Sequence, residues 1–404
     1  MKIKYQLLLY ILLLPVVSWG QKVLYVQSPD RKIELQVMIG QELEIAIIRN
    51  GTTVLQPSAI GMDVRFIGIL GENPKLKSVS RRSVTEKLSS PIYIKDEVDN
   101  IYNELTASFR GNYSVVFRCY NQGVAYRFVT DFKEREIVIN NEKAVFHFPS
   151  GTKGYAAYSN YGDDNDLSSQ YLNSFENTYD NQLLSQLNSR RLIFYPFLVE
   201  LPDKFEKICI TESDLRDYPG MFLQSSPDSF SMKGVWAPLP EKTVQGGHNQ
   251  LQQIVVKRYD YIAHTNGKRT FPWRIFTIAE QDRELLDNDL VYLLATPSVL
   301  KDISWIKPGK VAWDWWNDWN ISKVDFRAGI NNETYKYYID FAAINQIKYV
   351  ILDEGWAVNQ QADMLQVIPE IDLTELVSYA KSKNVDIILW AGYWAFHRDM
   401  EKVV

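Results

Sequence analysis

Cysteine and histidine are scarce in this chain of 404 residues, which has two cysteines and four histidines. Cys119 and Cys209 each lie in a strand-like run. Two thiols this far apart form no disulfide framework, so we expect both to be free. The histidines show no metal-ligand spacing, and no catalytic triad or phosphate-binding loop stands out. The sequence therefore argues against zinc and nucleotide chemistry.

The chain also lacks a large excess of charge of either sign. The chain has 44 basic and 49 acidic residues and a net charge of −5, and it contains no arginine-rich run. A protein that binds nucleic acid through phosphates needs a basic surface. The composition therefore favours a partner other than nucleic acid.

Long apolar runs are confined to the first twenty residues. A basic start at 1–4 and an apolar stretch at 7–17 precede the small residues Ser18 and Gly20 on either side of Trp19, which predicts a signal peptide at 1–20. No cysteine near its end could carry a lipid anchor. No later run of eighteen apolar residues occurs. We therefore expect an exported protein without a membrane span, in the periplasm, and its oligomeric state stays open.

Aromatic residues, in contrast, are abundant. Phe, Trp and Tyr make up 13% of the chain, with 11 tryptophans. Exposed rings can stack on the apolar faces of sugars, whereas buried rings fill β-rich cores, and both interpretations stay open for any single ring. Three aromatic segments begin as short apolar runs and end in acids or aromatic residues: Val311–Asn317, Val350–Trp356 and Ile387–Trp394.

The chain is too long for one ordinary core, so two or more domains are expected. From 21 to 296, short apolar or alternating runs between turn residues predict a series of β-strands, and such a series predicts a sandwich domain. Asn50 and Gly51 predict a tight hairpin turn. Examples of these runs are Lys32–Met38, Leu43–Ile48, Tyr113–Arg118 and Val124–Val129.

Beyond Pro297 the period of the apolar residues changes. Three strand-like runs begin about every 37 residues, and helical spacing lies between them, which is the rhythm of a (β/α)8 barrel. Asp372 predicts a helix N-cap, with Glu375 three residues later. The strands are predicted at Val311–Asp314, Tyr349–Asp353 and Asp386–Trp390, and the helices at Glu333–Asn345, Leu373–Asn384 and from His397 onward.

We therefore predict that 297–404 forms the first three βα units of an incomplete (β/α)8 TIM barrel. Three units leave an open parallel edge and an uncovered apolar face. The expectation is a truncated product, a partial gene model or an incomplete read, and a chain that is inactive and poorly soluble when expressed alone. The alternative is a small α/β module packed on the sandwich.

Five segments carry a resemblance to a known family: Phe271–Glu280, Leu290–Tyr292, Trp305–Asn317, Thr334–Ala343 and Tyr349–Trp356. They resemble glycoside hydrolase family 97, a family of exported α-glycosidases. The resemblance covers nearly all of the chain after residue 20 and implies a β-super-sandwich, then a (β/α)8 barrel, then a C-terminal β-domain that is missing here.

The family contains two mechanisms, and the sequence after the third barrel strand distinguishes them. Inverting α-glucosidases of the family carry a glutamate there, whereas Leu389–Trp394 contains no carboxylate. The chain thus resembles the retaining α-galactosidase branch, whose carboxyl groups lie about 5 to 5.5 Å apart. The resemblance places that nucleophile and acid/base beyond Val404, so no catalytic residue is assigned here. An inverting α-glucosidase and a non-catalytic carbohydrate-binding remnant stay as alternatives.

The resemblance also implies one metal ligand. Glu212 matches a sandwich-domain glutamate that binds calcium in the family, and oxygen ligands suit Ca²⁺. The plain alternative is a solvated acid near a strand end. A single glutamate cannot hold the ion, and the remaining ligands are expected beyond residue 404.

Substrate-binding residues are predicted at the carboxyl ends of the barrel strands, where such barrels bind substrate. Carboxylates there can accept hydrogen bonds from sugar hydroxyls, although helix capping or pairing with Lys310 would also explain them. His248, in a glycine-containing turn, is either a donor to a sugar hydroxyl or an ordinary turn residue. The predicted substrate-binding set is Asp314, Asp353, Glu354, Trp356, Trp390 and His248. Trp313 and Trp394 are further candidate stacking rings, and of the four tryptophans Trp313, Trp356, Trp390 and Trp394 we expect two to lie in the core. The predicted partner is an oligosaccharide with a terminal α-linked hexose.

Overall fold

The computed structural model describes residues 22–89, 92–172, 175–202, 206–227, 229–358, 360–361 and 363–404. The predicted signal peptide at 1–20 lies outside these residues. The described chain divides into two compact units. The first comprises 22–88, Glu97–Pro238 and Asp260–Thr296, and the second comprises Ser89–Asp96, Leu239–Tyr259 and Pro297–Val404. The domain limits 21–296 and 297–404 stay a prediction.

The first unit consists mainly of antiparallel β-strands. Two strands of the segment Leu239–Tyr259, β16 (Pro240–Gly246) and β17 (Gln252–Arg258), belong to the second unit. The strands are β1 (Lys22–Gln27), β2 (Ile33–Ile39), β3 (Leu43–Arg49), β4 (Thr52–Val64), β5 (Gly68–Leu70), β6 (Leu76–Ser89), β7 (Glu97–Phe109), β8 (Tyr113–Tyr120), β9 (Gly123–His147), β10 (Lys153–Ala156), β11 (Asp180–Leu183), β12 (Phe197–Glu200), β13 (Lys207–Ser213), β14 (Met221–Ser225), β15 (Ser231–Trp236), β16 (Pro240–Gly246), β17 (Gln252–Arg258), β18 (Ala263–Thr270) and β19 (Trp273–Ala279).

Strand pairing in the first unit centres on β9, which has 25 residues. It pairs antiparallel with β4, β8, β15, β18 and β19, and its inward side chains join the apolar core. The predicted strands at 32–38, 43–48 and 113–118 are confirmed as β2, β3 and β8. The Asn50–Gly51 turn is also confirmed, because both residues have positive φ and Arg49 pairs with Thr52.

Helices α1 (Asp282–Leu286) and α2 (Leu290–Leu294) close the first unit. Both cysteines are free, as expected, and Cys119 is buried. Within the described ranges, none of the helices has the length and apolar character needed to cross a membrane.

The second unit contains three parallel strands, each followed by a helix. Val311 pairs with Tyr349, and Tyr349 pairs with Asp386, so the three strands run in register. The elements are β20 (Val311–Trp313), α3 (Asn332–Ile344), β21 (Tyr349–Leu352), β22 (Ala357–Val358), β23 (Asp363–Val367), α4 (Leu373–Ser382), β24 (Asp386–Leu389) and α5 (Tyr393–Val403), besides the antiparallel hairpin β16–β17.

Local sequence explains the helix limits of the second unit. Asn331 accepts a hydrogen bond from the Thr334 backbone N–H at the start of α3, and Asp372 does the same for Glu375 at the start of α4. The predicted start of the third helix at His397 is wrong, because α5 already begins at Tyr393, directly after the turn that follows β24. The hairpin β22–β23 was not predicted.

The core of the second unit lies between the parallel strands and the helices. Alternate strand residues such as Val350 and Leu352 are buried against Tyr335 and Ile339 of α3 and Leu376 of α4. This packing holds the parallel strands in place against α3 and α4 through their apolar side chains. The residues that follow the strand ends are thereby held at one edge of the small sheet.

Candidate functional site

The predicted acids follow the carboxyl ends of two neighbouring parallel strands. Asp314 comes directly after β20, and Asp353 and Glu354 come directly after β21. Trp390 follows β24, and its backbone N–H donates to the Leu352 carbonyl at 2.9 Å. Because the three strands are parallel and in register, these residues share one edge of the sheet. The structure nevertheless divides them between two clusters.

The first cluster lines a pocket. Glu354, Trp356 and Trp390 all contribute to its wall, and the Trp356 indole N–H donates to the Trp390 carbonyl at 2.9 Å. Trp356 is only 4% exposed and packs in the core of the unit, so it is at once a core residue and part of the wall. The other lining residues are Leu251, Gly355, Ala357, Val358, Asp363, Met364, Ala391 and Gly392.

The loop between β16 and β17 brings His248 near Glu354, although His248 is not one of the lining residues of the pocket. Its side chain is 77% exposed, and its Nε2 atom lies 3.9 Å from Oε2 of Glu354. The neighbouring Asn249, which sequence reasoning missed, donates its side-chain amide directly to Oε1 of Glu354. A signal was present, since Asn249 closely follows two glycines in a short loop, and asparagine tolerates the positive φ that such a loop requires.

The second cluster is buried beside the first. Asp353 accepts hydrogen bonds from the Trp313 indole N–H and from the Glu354 backbone N–H, each at 2.5 Å. Asp314 is 0% exposed, and neither of its carboxylate oxygens has a well-oriented hydrogen-bond partner among the described residues. Asp314 is not one of the lining residues of the pocket.

Burial determines the acidity of Asp314. Removal from water raises the pKa of its carboxyl, and the nearby charge of Asp353 adds to the increase, while the neighbouring Tyr335 hydroxyl opposes it. The pKa of Tyr335 is itself raised, by burial and then by Asp314. Asp314 therefore favours its neutral form more than an exposed aspartate does, and a group of this kind contributes proton-dependent stability.

The candidate stacking rings differ in their environment. Trp313 packs against Trp315 and Trp316, with ring centroids 6.1 and 5.5 Å away. Trp394 lies in α5 beneath the Arg398 guanidinium, 5.0 Å from the ring centroid. Of the four tryptophans predicted to divide between core and site, Trp356 alone is buried, and the others are half-buried.

Glu212 lies in β13 of the first unit, and its carboxylate faces a cation. Its Oε2 atom accepts from the Arg274 guanidinium at 2.5 Å, and its Oε1 atom accepts from the Met221 backbone N–H at 3.2 Å. Burial raises the pKa of Glu212, and Arg274 opposes the increase. The described part of the chain holds no group of three or more acids, histidines or cysteines arranged for a metal ion. These residues alone do not form a Ca²⁺ site, and the calcium assignment stays a prediction, because the other ligands are expected beyond residue 404.

The sequence matches two family models. The model described as "Glycosyl-hydrolase 97 N-terminal" matches residues 26–297, and the model described as "Glycoside hydrolase 97" matches residues 315–404. Among solved structures, a glycoside hydrolase family 97 enzyme from Pseudoalteromonas sp. strain K8, in complex with acarbose, has a TM-score of 0.76 at 22% identity, covering 94% of this chain and 56% of that one. A β-arabinopyranosidase has a TM-score of 0.72 at 20% identity, covering 92% and 56%. These likenesses show the fold.

Two curated relatives are similar along nearly the whole chain. A retaining α-galactosidase of Bacteroides thetaiotaomicron is 52% identical over 384 residues, which are 95% of this chain and 58% of that protein. A probable retaining α-galactosidase of Streptomyces bingchenggensis is 24% identical over 390 residues, which are 93% of this chain and 52% of that protein. The chain thus spans about half the length of the curated relatives it matches. It belongs to glycoside hydrolase family 97.

Proposed function

We propose that this protein is an α-glycoside hydrolase that removes terminal α-linked galactose from oligosaccharides with retention of configuration. The similarity to a protein named retaining α-galactosidase supports the substrate, because it is 52% identical over 384 residues. The absence of an acid from Leu389–Trp394 in the sequence supports the retaining branch. The observation that carries the proposal is the pocket in which Glu354, Trp356 and Trp390 meet at the strand ends.

In this proposal, Glu354 accepts a hydrogen bond from a hydroxyl of the terminal sugar. Its side chain is partly exposed and lines the pocket, so one carboxylate oxygen can reach a ligand. A correctly placed acceptor distinguishes an axial from an equatorial hydroxyl, because the wrong sugar leaves the polar group unpaired. Trp390 supplies a half-buried ring against the apolar face of the sugar.

Asp353 has a different role from Glu354. Hydrogen bonds from Trp313 and from the Glu354 backbone engage both of its oxygens, and it is almost fully buried. It therefore fixes the backbone from which Glu354 projects and holds the Trp313 ring in place. Asp353 therefore orients Glu354 and does not itself contact the sugar.

The wider setting follows the family. The parallel strands β20, β21 and β24 with their helices are proposed as the first three βα units of a (β/α)8 barrel, whose carboxyl edge holds the substrate. No residue of 1–404 is assigned as nucleophile or acid/base. The apolar segment at 7–17 supports export, and we place the protein in the periplasm.

A pair of chromogenic substrates tests the proposal. The complete product of the gene is assayed with nitrophenyl α-galactoside and nitrophenyl α-glucoside, and the configuration of the released sugar is followed by NMR. We expect hydrolysis of the galactoside with α-galactose as the first product. Preference for the glucoside, or β-configured product, would contradict the assignment to the retaining α-galactosidase branch.

A further inference from the structure

The loop that joins β16 to β17 holds a polar side chain against the pocket acid. Gly246 pairs with Gln252, so Gly247–Leu251 forms the tip of the hairpin. Asn249 lies at its centre with φ 49° and ψ 26°, in the left-handed region. Asparagine adopts this conformation more readily than most residues. The backbone of the loop therefore favours an asparagine here, and it presents the amide to Glu354.

Every polar atom of the Asn249 amide is used. Its Nδ2 group donates to Oε1 of Glu354 and lies 2.9 Å from Nε2 of His248, which accepts in the tautomer protonated on Nδ1. Its Oδ1 atom accepts from the Gln360 amide at 3.0 Å. Because a carboxylate only accepts hydrogen bonds, the NH₂ group of Asn249 must face Glu354, and Oδ1 then faces the Gln360 amide. The orientation of the Asn249 amide is thus set from three sides.

The loop also lies close to the turn after β24. A side-chain carbon placed on Gly392 would lie 3.3 Å from Cβ of Leu251, so the two backbones approach closely. Leu251, Gly392 and Glu354 line the same pocket. Leu251, at the end of the hairpin tip, is therefore the loop residue in the pocket wall, and Asn249 reaches Glu354 from a packed loop.

We propose that Asn249 is the positioning residue of Glu354 and thereby sets the affinity of the pocket for a hexose. By occupying Oε1, the amide fixes the rotation of the carboxylate and leaves Oε2 as the oxygen that accepts from the sugar hydroxyl. This inference rests on the proposed function of the pocket. It adds a residue from a hairpin distant in sequence to the residues that follow the parallel strands.

The test compares variants that separate the backbone of the loop from the amide. Asn249→Gly keeps the left-handed conformation and removes the amide, and Asn249→Asp keeps the shape but turns a donor into a second carboxylate beside Glu354. Gln250→Gly is the matched control, since Gln250 also has positive φ, at 59°. For each complete protein, KM and kcat for nitrophenyl α-galactoside, the dissociation constant of galactose and the unfolding temperature are measured.

We expect Asn249→Gly to raise KM and the galactose dissociation constant about 10-fold, as for a lost hydrogen bond to a charged group, with kcat within about 2-fold. Asn249→Asp should raise both at least as much, and Gln250→Gly should match the wild type. In a Glu354→Ala background, Asn249→Gly should have no further effect on the galactose dissociation constant, because the amide acts only through Glu354.

Two results would overturn the positioning role. One is wild-type KM and galactose affinity in Asn249→Gly. The other is an equal loss of affinity from Asn249→Gly whether or not Glu354 is present, which would indicate a general effect on the loop. A wild-type protein that neither hydrolyses α-galactoside nor binds galactose would instead refute the proposed function, before any variant is compared.

Discussion

Replacement of Arg274 by methionine tests whether Glu212 belongs to a buried ionic network of the first unit. The Arg274 side chain is 1% exposed and donates to Glu142 at 2.9 and 2.7 Å and to Glu212 at 2.5 Å. Tyr218 donates to the same Glu142 carboxylate at 3.1 Å. Methionine fills similar space but leaves two largely buried carboxylates without their cation.

The size of the effect follows from this geometry. Removal of one partner of a buried ion pair costs about 3 to 5 kcal/mol, because the remaining charge is left uncompensated. In a domain of this size, each kcal/mol lowers the unfolding temperature by about 2 to 4 °C. We therefore expect Arg274→Met to lower the unfolding temperature of the first unit by about 6 to 20 °C.

Differential scanning calorimetry provides the assay. Lys87→Met is the control, because Lys87 and Glu97 form an ion pair 2.9 Å long in which both side chains are mostly exposed, and such pairs contribute about 0 to 1 kcal/mol. The triple variant Arg274→Met, Glu142→Gln, Glu212→Gln should recover much of the loss, since it removes the uncompensated charges. An unfolding temperature for Arg274→Met as high as that of Lys87→Met would show that Arg274 does not stabilise the two buried carboxylates.

Three further predictions concern the second unit. Glu354→Gln should raise KM for nitrophenyl α-galactoside about 10- to 100-fold with an unchanged unfolding temperature, because a charged acceptor is replaced by a neutral amide; steady-state kinetics and calorimetry check this. Burial raises the pKa of Asp314, so the unfolded chain loses the proton of this carboxyl at a lower pH than the folded protein does. The stability contributed by Asp314 therefore declines as the pH rises above about 4. Asp314→Asn should therefore gain in unfolding temperature relative to wild type as the pH rises above about 4, and a constant difference would contradict this prediction. Gly355→Ala should lower stability by about 1 to 3 kcal/mol, because Gly355 has φ 113° and an added Cβ would meet Ile330; denaturant unfolding that matches wild type would exclude this strain.

Periodicity predicted much of the fold, because it reports local geometry directly. The strands β2, β3 and β8, the Asn50–Gly51 turn and the helices α3 and α4 follow from alternation, turn residues and caps. The continuous 25-residue strand β9 does not, since its length depends on which distant strands pair with it. Pairing between strands that are distant in sequence cannot be predicted from a short window of sequence.

The site was predicted in part for a similar reason. Residues after the strand ends, such as Glu354 and Trp390, are identified by their position along the sequence, because parallel strands bring those ends together. Asn249 was missed, since it lies 105 residues before Glu354 and only the folded hairpin joins them. Sequence position also could not show that Asp353 and Glu354 lie in different clusters, as neighbouring side chains point in different directions.

A crystal structure of the complete protein with galactose would show directly whether the residues that follow β21 and β24 bind a hexose at the carboxyl edge of the parallel sheet. We predict galactose in the pocket lined by Glu354, Trp356 and Trp390, with a hydroxyl about 3 Å from Oε2 of Glu354. Galactose bound away from this edge, without contact to Glu354 or Trp390, would contradict the account.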